Sequence, residues 1–451
     1  MTTPSENTSR RQFLKSGSAM AAGSALAAAA VPKVHAAEDN TIRLALIGCG
    51  NRGRGAAANA FSTSEQGPIK LFALADLFPE RLEATEKILT SRFPDHFDAP
   101  AERQFRGFDA YKAAIDCLRP GDIAMLTGHT AWRPVQLEYA VSKGVHVFME
   151  KSFGTDPPAV RRILNAGEEA GKKNLKIASG LMCRHSHARQ ELLKRIRDGA
   201  LGDIQLIRAY RLEPSFVLPP KPDGASELHW QIQRFIHFHW VSGGLFAEMD
   251  IHQIDEMCWI KDQWPVTAFG MGGRNPDHNN RSQILDSYHV EFTFADGTKA
   301  TDDARYLSNT YTDFATYVHG TKCAAQISWR PHQRDELFLF KDQRIAKDNI
   351  AWTAPRDVAT PWDAEWQVLI DAIRNDKPHN EARHAALSNL AGIMARAAIH
   401  SGKLATWDEA MASDFQWCDY IDTMTDDSPP PVLPDEEGYY PVPNAGQWTE
   451  L

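Results

Sequence analysis

Cysteine is scarce and never clustered. Six residues (Cys49, Cys117, Cys183, Cys258, Cys323 and Cys418) are scattered over 451 positions without one C-x-x-C pair. That excludes a zinc knuckle and a dithiol redox motif, and mostly buried thiols are expected. An excess of positive charge is also missing, with 49 basic against 58 acidic residues and a formal charge of -9. The first 36 residues hold four of the basic groups (Arg10, Arg11, Lys15, Lys33) and one acid (Glu6), so the remainder is more acidic still. A surface of this sign favours neither nucleic acid nor anionic membrane. After residue 36 no apolar run approaches the ~20 residues that span a bilayer. There is no internal repeat. A chain of this length is expected to form two domains, each with its own core.

The N-terminus does carry a strong signal. Ser9-Arg10-Arg11-Gln12-Phe13-Leu14-Lys15 has the twin-arginine export pattern, followed by a weakly apolar Ala/Gly stretch from Gly17 to Val31. Val34-His35-Ala36 supplies a small-x-small cleavage site. Residues 1–36 are therefore expected to be a signal peptide, and the mature chain to be periplasmic or otherwise exported, with no stable membrane insertion. The twin-arginine route carries folded proteins, including those loaded with a cofactor beforehand. A cofactor site is the natural next thing to seek.

Apolar strand-like runs alternate with helical periods from Ile42 to Met149: Ile42–Ile47, Leu71–Asp76, Ile123–Thr127 and Val145–Met149. This spacing predicts a doubly wound parallel sheet of Rossmann type over residues 41–152. Residues 153–425 predict a second α/β domain with a large, mostly antiparallel open sheet. Its strands are expected near Ile204–Tyr210, Val266–Gly270, Tyr288–Phe294 and Thr316–His319, with a hairpin turn at Asp296-Gly297. Helices are expected over Asp363–Asn375 and Glu381–Ser401, the latter stopped by Gly402. Residues 426–451 are Pro-rich and are expected to form an extended tail.

Gly48-x-Gly50-x-x-Gly53 follows the first strand and opens a helix, and Asp76 ends the second strand. Gly48 permits the tight turn, Gly50 the close approach of a pyrophosphate, and Gly53 close helix–strand packing. The helix N-terminus offers free N–H donors. Asp76 suits an adenosine ribose and repels a 2′-phosphate, so NAD is favoured over NADP, with Arg52 and Arg81 nearby as the contrary signal. Asn51, Arg52, Thr127 and Glu150 complete the expected cofactor contacts.

Glu150-Lys151 ends a parallel strand on the ligand-binding edge of the sheet. On a helix through residues 245–255, Glu248 and His252 share one face, Asp250 points away, and Asp255 follows His252 by three. A lysine, a carboxylate and a histidine converging beside a nicotinamide suit alcohol oxidation, with histidine as the base and lysine steadying the oxygen.

The Gly48–Gly53 loop, Asp76-x-x-Pro79-Glu80-Arg81, Glu150-Lys151, Gly199–Ile204 and Ser242-Gly243-Gly244 through His252 and Asp255 together resemble the glucose–fructose oxidoreductase/inositol dehydrogenase (Gfo/Idh/MocA) family, in its twin-arginine-exported branch. The resemblance spans about Thr41 to Asp408. It implies a Rossmann domain joined to an α/β domain whose open sheet builds a homodimer or homotetramer, and a carbohydrate-like small-molecule substrate. It makes Lys151 the active-site lysine and His252 the catalytic histidine, with Glu248 where aspartate is usual. Ser152 stands where the family has proline after the lysine, and Gly128 replaces the proline after Thr127. Trp132 takes the place of a histidine in that loop, with His129 nearby.

The expected activity is thus an exported, NAD-retaining oxidoreductase acting on a sugar, cyclitol or glycoside hydroxyl. Two alternatives stand beside it: an NAD-dependent glycoside hydrolase working by transient oxidation and elimination, and a non-catalytic binding member of the family. Arg184, His185, Arg234, Trp240 and Asp255 are candidate substrate contacts, with His237 beside them. For Arg184 and His185 a polar helix start is the plain alternative. Trp132 and Trp240 are candidates for stacking on a sugar ring. The histidine spacing matches no zinc pattern, and no metal is expected.

Overall fold

Ile42-Arg43-Leu44-Ala45-Leu46-Ile47 is apolar on both faces and almost wholly buried, as a central parallel strand must be. In the computed structural model, which describes residues 40–275, 280–328 and 336–451, it is strand β1 of a six-stranded parallel sheet. The expected signal peptide and its cleavage site lie outside the described residues.

The first sheet is built by β1 (Ile42–Ile47), α1 (Asn51–Phe61), β2 (Ile69–Asp76), α2 (Pro79–Arg92), β3 (Gln104–Arg106), α3 (Ala110–Asp116), β4 (Ile123–Leu126), α4 (Arg133–Ser142), β5 (His146–Met149), α5 (Pro157–Lys172) and β6 (Ile177–Ser179). Its strand order is β3-β2-β1-β4-β5-β6. The order reverses between β1 and β4, leaving a crevice at the strands' C-terminal ends. The sheet runs past the boundary expected at residue 152. A further α/β unit, α5 and β6, extends it before the chain leaves, because Ile177–Ser179 pairs in parallel with β5.

The second sheet has nine strands in the order β14-β13-β12-β11-β7-β10-β9-β8-β15. After α6 (His187–Arg197) come β7 (Ile204–Glu213), the helical segments α7 (Glu227–Gln233), α8 (His239–Ser242), α9 (Gly244–Met249) and α10 (Ile251–Lys261), and then β8 (Thr267–Gly273), β9 (Ser287–Thr293), β10 (Lys299–Tyr306), β11 (Asp313–Gly320), β12 (Ala324–Ile327), β13 (Phe338–Phe340) and β14 (Ile350–Thr353). Every pairing is antiparallel except β7 with β10. The chain closes with α11 (Pro361–Arg374), α12 (Ala382–Ser401), β15 (Ala405–Thr406) and α13 (Trp407–Ala412).

Two late helices join the parts. The Thr360 side chain caps α11 by accepting from Asp363 N–H, with Pro361 in the first turn. This helix then packs on α1, where Asn59 donates to Asp363 at 2.7 Å. Helix α12 is Ala-rich and buried on nearly every side, as a helix central to the fold must be. It touches α5, β8, β9 and α10, and ends at Gly402 with φ +69°.

The C-terminal segment is extended, as its prolines require, yet it is fastened along its length. Gln231 donates to the Val432 carbonyl at 2.7 Å, and the Tyr440 hydroxyl donates to Glu227. Glu450 is buried against Arg396 (2.7 Å) and His400 (2.5 Å). Composition shows a tail without periodicity. It does not show the receiving groups, which lie far away in sequence. All six cysteines are free thiols, four of them buried.

Candidate active site

The crevice at the end of the parallel sheet is a cleft of about 710 Å³. Every expected cofactor residue lines it: Gly48, Gly50, Asn51, Arg52, Gly53, Asp76, Thr127 and Glu150. So do Lys151, Glu248 and His252.

The glycine loop is packed to the limit of what glycine allows. Gly48 sits at φ +97°, and a Cβ there would lie 2.4 Å from Gly128 N. A Cβ on Gly53 would meet the Gly48 carbonyl at 2.1 Å and Thr127 Oγ1 at 2.8 Å. Gly50 has open space instead, on the side where a ligand must approach. No side chain caps the N-terminus of α1, so its first amides remain available to a phosphate. Gly53→Ala is expected to cost about 1–3 kcal/mol by overpacking, read as a lower denaturant midpoint. Gly50→Ala, by contrast, should leave the midpoint nearly unchanged.

Asp76 accepts Cys49 N–H at 2.7 Å on one oxygen and Phe78 N–H at 2.9 Å on the other. Burial pushes its carboxyl above the usual range, against the opposing pull of Arg81 and these two amides. Each oxygen keeps a lone pair for a further donor. Arg52 is held by Glu150 and by Glu365, which reaches over from α11. Arg81 lies over the Phe78 ring, 4.8 Å from its centroid. The Thr127 hydroxyl donates to Gly48 O at 2.7 Å and so closes the glycine loop onto β4.

Lys151 leaves the end of β5 with its Nζ hydrogen-bonded to the Glu248 carbonyl at 2.7 Å and ion-paired to the Glu248 carboxylate. The other carboxylate oxygen accepts from Thr130 Oγ1 at 3.3 Å. Ser152 donates to Ala247 O at 3.0 Å and ties the turn to α9. The single helix expected through residues 245–255 is in fact two, α9 and α10, broken at Asp250. The buried Asp250 carboxylate accepts from the Tyr306 hydroxyl at 2.6 Å. Despite the break, Glu248 and His252 both reach the cleft.

The expected substrate contacts do not line this cleft, and each has another partner. Arg184 forms a forked pair with Asp255 at 2.8–3.1 Å, and Asp255 also accepts from Ser388 at 2.6 Å. His185 meets Glu381 at 3.1 Å. Arg234 is exposed and lies over the Trp230 ring, and buried Trp240 donates to Gln231 at 2.7 Å. His237 is buried outside the cleft, its imidazole pushed down to about 4, chiefly by burial. Arg184 with Asp255, and His185 with Glu381, pair away from the cleft, which spacing along the chain does not reveal.

Of the two tryptophans singled out, Trp132 does border the cleft, and Trp240 packs edge-on behind it at 5.9 Å. His129 also lines it, stacked on Phe235 at 4.6 Å, with its imidazole pushed down to about 3 by burial and by Arg81 and Arg133. Sequence reading missed Phe108, Met182, Ile232 and Phe235. They sit on short turns and on α7, where no periodicity marks a wall-forming residue.

Fold and cleft define an α/β protein with a parallel Rossmann sheet, a second, mostly antiparallel sheet and a Lys–Glu–His cluster at the crevice. Residues 190–326 match the GFO/IDH/MocA C-terminal domain. An inositol 2-dehydrogenase of Rhizobium meliloti (strain 1021) is 25% identical over 228 residues, 51% of this chain and 57% of that protein. This curated relative is therefore matched over little more than half its length. Among solved structures, scyllo-inositol dehydrogenase from Lactobacillus casei with bound NAD(H) and scyllo-inositol superposes with a TM-score of 0.60 at 21% identity, covering 82% of this chain and 99% of that one. Aldose-aldose oxidoreductase from Caulobacter crescentus complexed with glycerol gives 0.63 at 16% identity, covering 81% and 99%. The chain is thus similar to the Gfo/Idh/MocA proteins in residues 190–326 and in its overall fold.

Proposed function

We propose that this protein is an NAD-binding oxidoreductase acting on a hydroxyl of a sugar, cyclitol or glycoside, exported by the twin-arginine route with its cofactor retained. One observation carries the reading. Lys151, Glu248 and His252 line the same cleft as the Gly48–Gly53 loop and Asp76. The relatives named above, inositol and aldose oxidoreductases, support the substrate class.

The residues fit the dinucleotide. The uncapped α1 N-terminus and the open side of Gly50 suit its pyrophosphate. Asp76 retains acceptor capacity for ribose hydroxyls and repels a 2′-phosphate. Arg52 is committed to two carboxylates, which favours NAD over NADP. Bound there, the dinucleotide would supply a hydride acceptor for the carbon that bears the hydroxyl. His252 takes the hydroxyl proton. Lys151 holds the oxygen with its ammonium charge, and Glu248 fixes Lys151 in place through two contacts.

Retention has a structural rationale. Ile232 and Phe235, in and just after α7, form part of the cleft wall. That segment is tied to the C-terminal tail through Gln231–Val432, Tyr440–Glu227 and His229–Asp426. These ties support retention of a dinucleotide in the cleft. A homodimer or homotetramer through the nine-stranded sheet is part of the same proposal.

Purified protein is expected to carry nicotinamide dinucleotide through gel filtration. It should also form reduced nicotinamide when given a matching polyol or sugar from a panel that includes aryl glycosides. Release of the aglycone without net reduction would favour the hydrolase. Protein that neither carries nor binds NAD would overturn the assignment.

A further inference from the structure

His252 borders two cavities. Its front faces the main cleft with Lys151 and Glu248. Behind it lies a separate chamber of about 10 Å³, also lined by Cys183, Arg189, Gln253, Glu256 and Thr316. That volume suits about one water molecule.

Polar residues, Arg189, Gln253, Glu256 and Thr316 among them, line the chamber beside apolar Phe314 and Ala315. Glu256 lies one helical turn after His252 on α10, hence on the same face. Its carboxylate is ion-paired with Arg189 at 3.0 Å, both side chains being nearly inaccessible, and it accepts from Thr316. Gln253 Oε1 is buried and has no hydrogen-bond partner among the described residues. A buried carbonyl oxygen without a donor is costly unless a donor occupies the space beside it. Water supplies two donors and bridges groups too far apart to touch.

We propose that this chamber holds a water linking the His252 imidazole to Glu256, which makes Glu256 a positioning residue for the base. The bridge fixes the imidazole orientation and favours its protonated form, as a carboxylate behind a histidine does elsewhere. The proposal rests on His252 serving as the base. Among the described residues, Lys151 and Glu248 line the cleft in front of His252, and Glu256 and Arg189 line the chamber behind it. The Cys183 thiol is pushed up to about 11, chiefly by burial, and stays neutral. Asp255, on the same helix, is held by Arg184 and Ser388.

Removing the Glu256 charge leaves Arg189 unopposed, and both changes disfavour imidazolium. In Glu256→Gln the His252 titration midpoint is expected to fall by about one pH unit. It would be read from the imidazole NMR signal that His252→Ala abolishes. The acid limb of the kcat/KM profile should move down with it, while cofactor content and KM hold. Gln253→Leu leaves the Glu256–Arg189 pair intact and removes a partner of the water. A smaller downward shift is expected there, and this variant decides the matter if Glu256→Gln does not fold. Midpoints equal to that of the parent protein in the folded variants would overturn the proposal. The NMR midpoint needs no turnover, so a shift without any dehydrogenase activity would refute the proposed function and leave the water bridge standing.

Discussion

Lys151→Ala is expected to lower kcat/KM by about 10²- to 10³-fold, the usual loss when a preorganised group facing developing charge is removed. Lys151 is well placed for that role. Its ammonium is fixed from two directions by one residue, the carbonyl and carboxylate of Glu248. Its side chain is only 18% exposed, so its charge is weakly screened. The effect should fall on turnover, with cofactor content unchanged, because the glycine loop and Asp76 make no use of this side chain. Lys151→Arg should rescue little, since a planar guanidinium does not reproduce a compact ammonium donor. Steady-state kinetics beside a cofactor assay would check this. Undiminished turnover in the alanine variant would remove Lys151 from the site.

Glu450→Ala is expected to cost about 3–5 kcal/mol of stability, as breaking a buried ion pair from one side does. Glu450 is second from the C-terminus, yet it lies between Arg396 and His400 in the interior. Arg396 also donates to Gly243 O at 3.0 Å, just ahead of the helix that carries Glu248. Loss of the carboxylate therefore strands a buried guanidinium close to the site. Burial alone would raise the Glu450 carboxyl, but Arg396 and His400 outweigh it and hold the group well below its ordinary value. A depressed folded-state value means that the contribution is present above the unfolded value of 4.5 and lost as pH falls below it. Urea unfolding at neutral and acid pH should show a large gap between parent and variant that narrows in acid. A variant matching the parent at neutral pH would show that the Glu450 carboxylate contributes nothing to stability.

The part of the cleft built on the glycine loop was readable along the chain because its geometry is local. Gly48, Gly50 and Gly53 lie within six positions, and parallel strands place their C-terminal ends along one edge. Asp76 and Glu150 therefore arrive at the crevice through topology alone. The opposite wall was less readable. Arg184 and Asp255 each looked available, but they neutralise one another across 71 positions. Phe235 and Ile232 gave no periodic signal, and only the packing of α7 against the tail makes them a wall.

By itself, the sequence determined the Rossmann sheet, the glycine loop with its acid, and the candidate Lys–Glu–His set, because backbone freedom and hydrophobic period act over short distances. Tertiary structure alone decided which polar groups face the cleft and which pair in the interior. It also decided that a periodicity-free tail ends in a buried carboxylate, and that His252 has a second chamber behind it. Those outcomes depend on burial and charge compensation between distant segments, which no local pattern encodes.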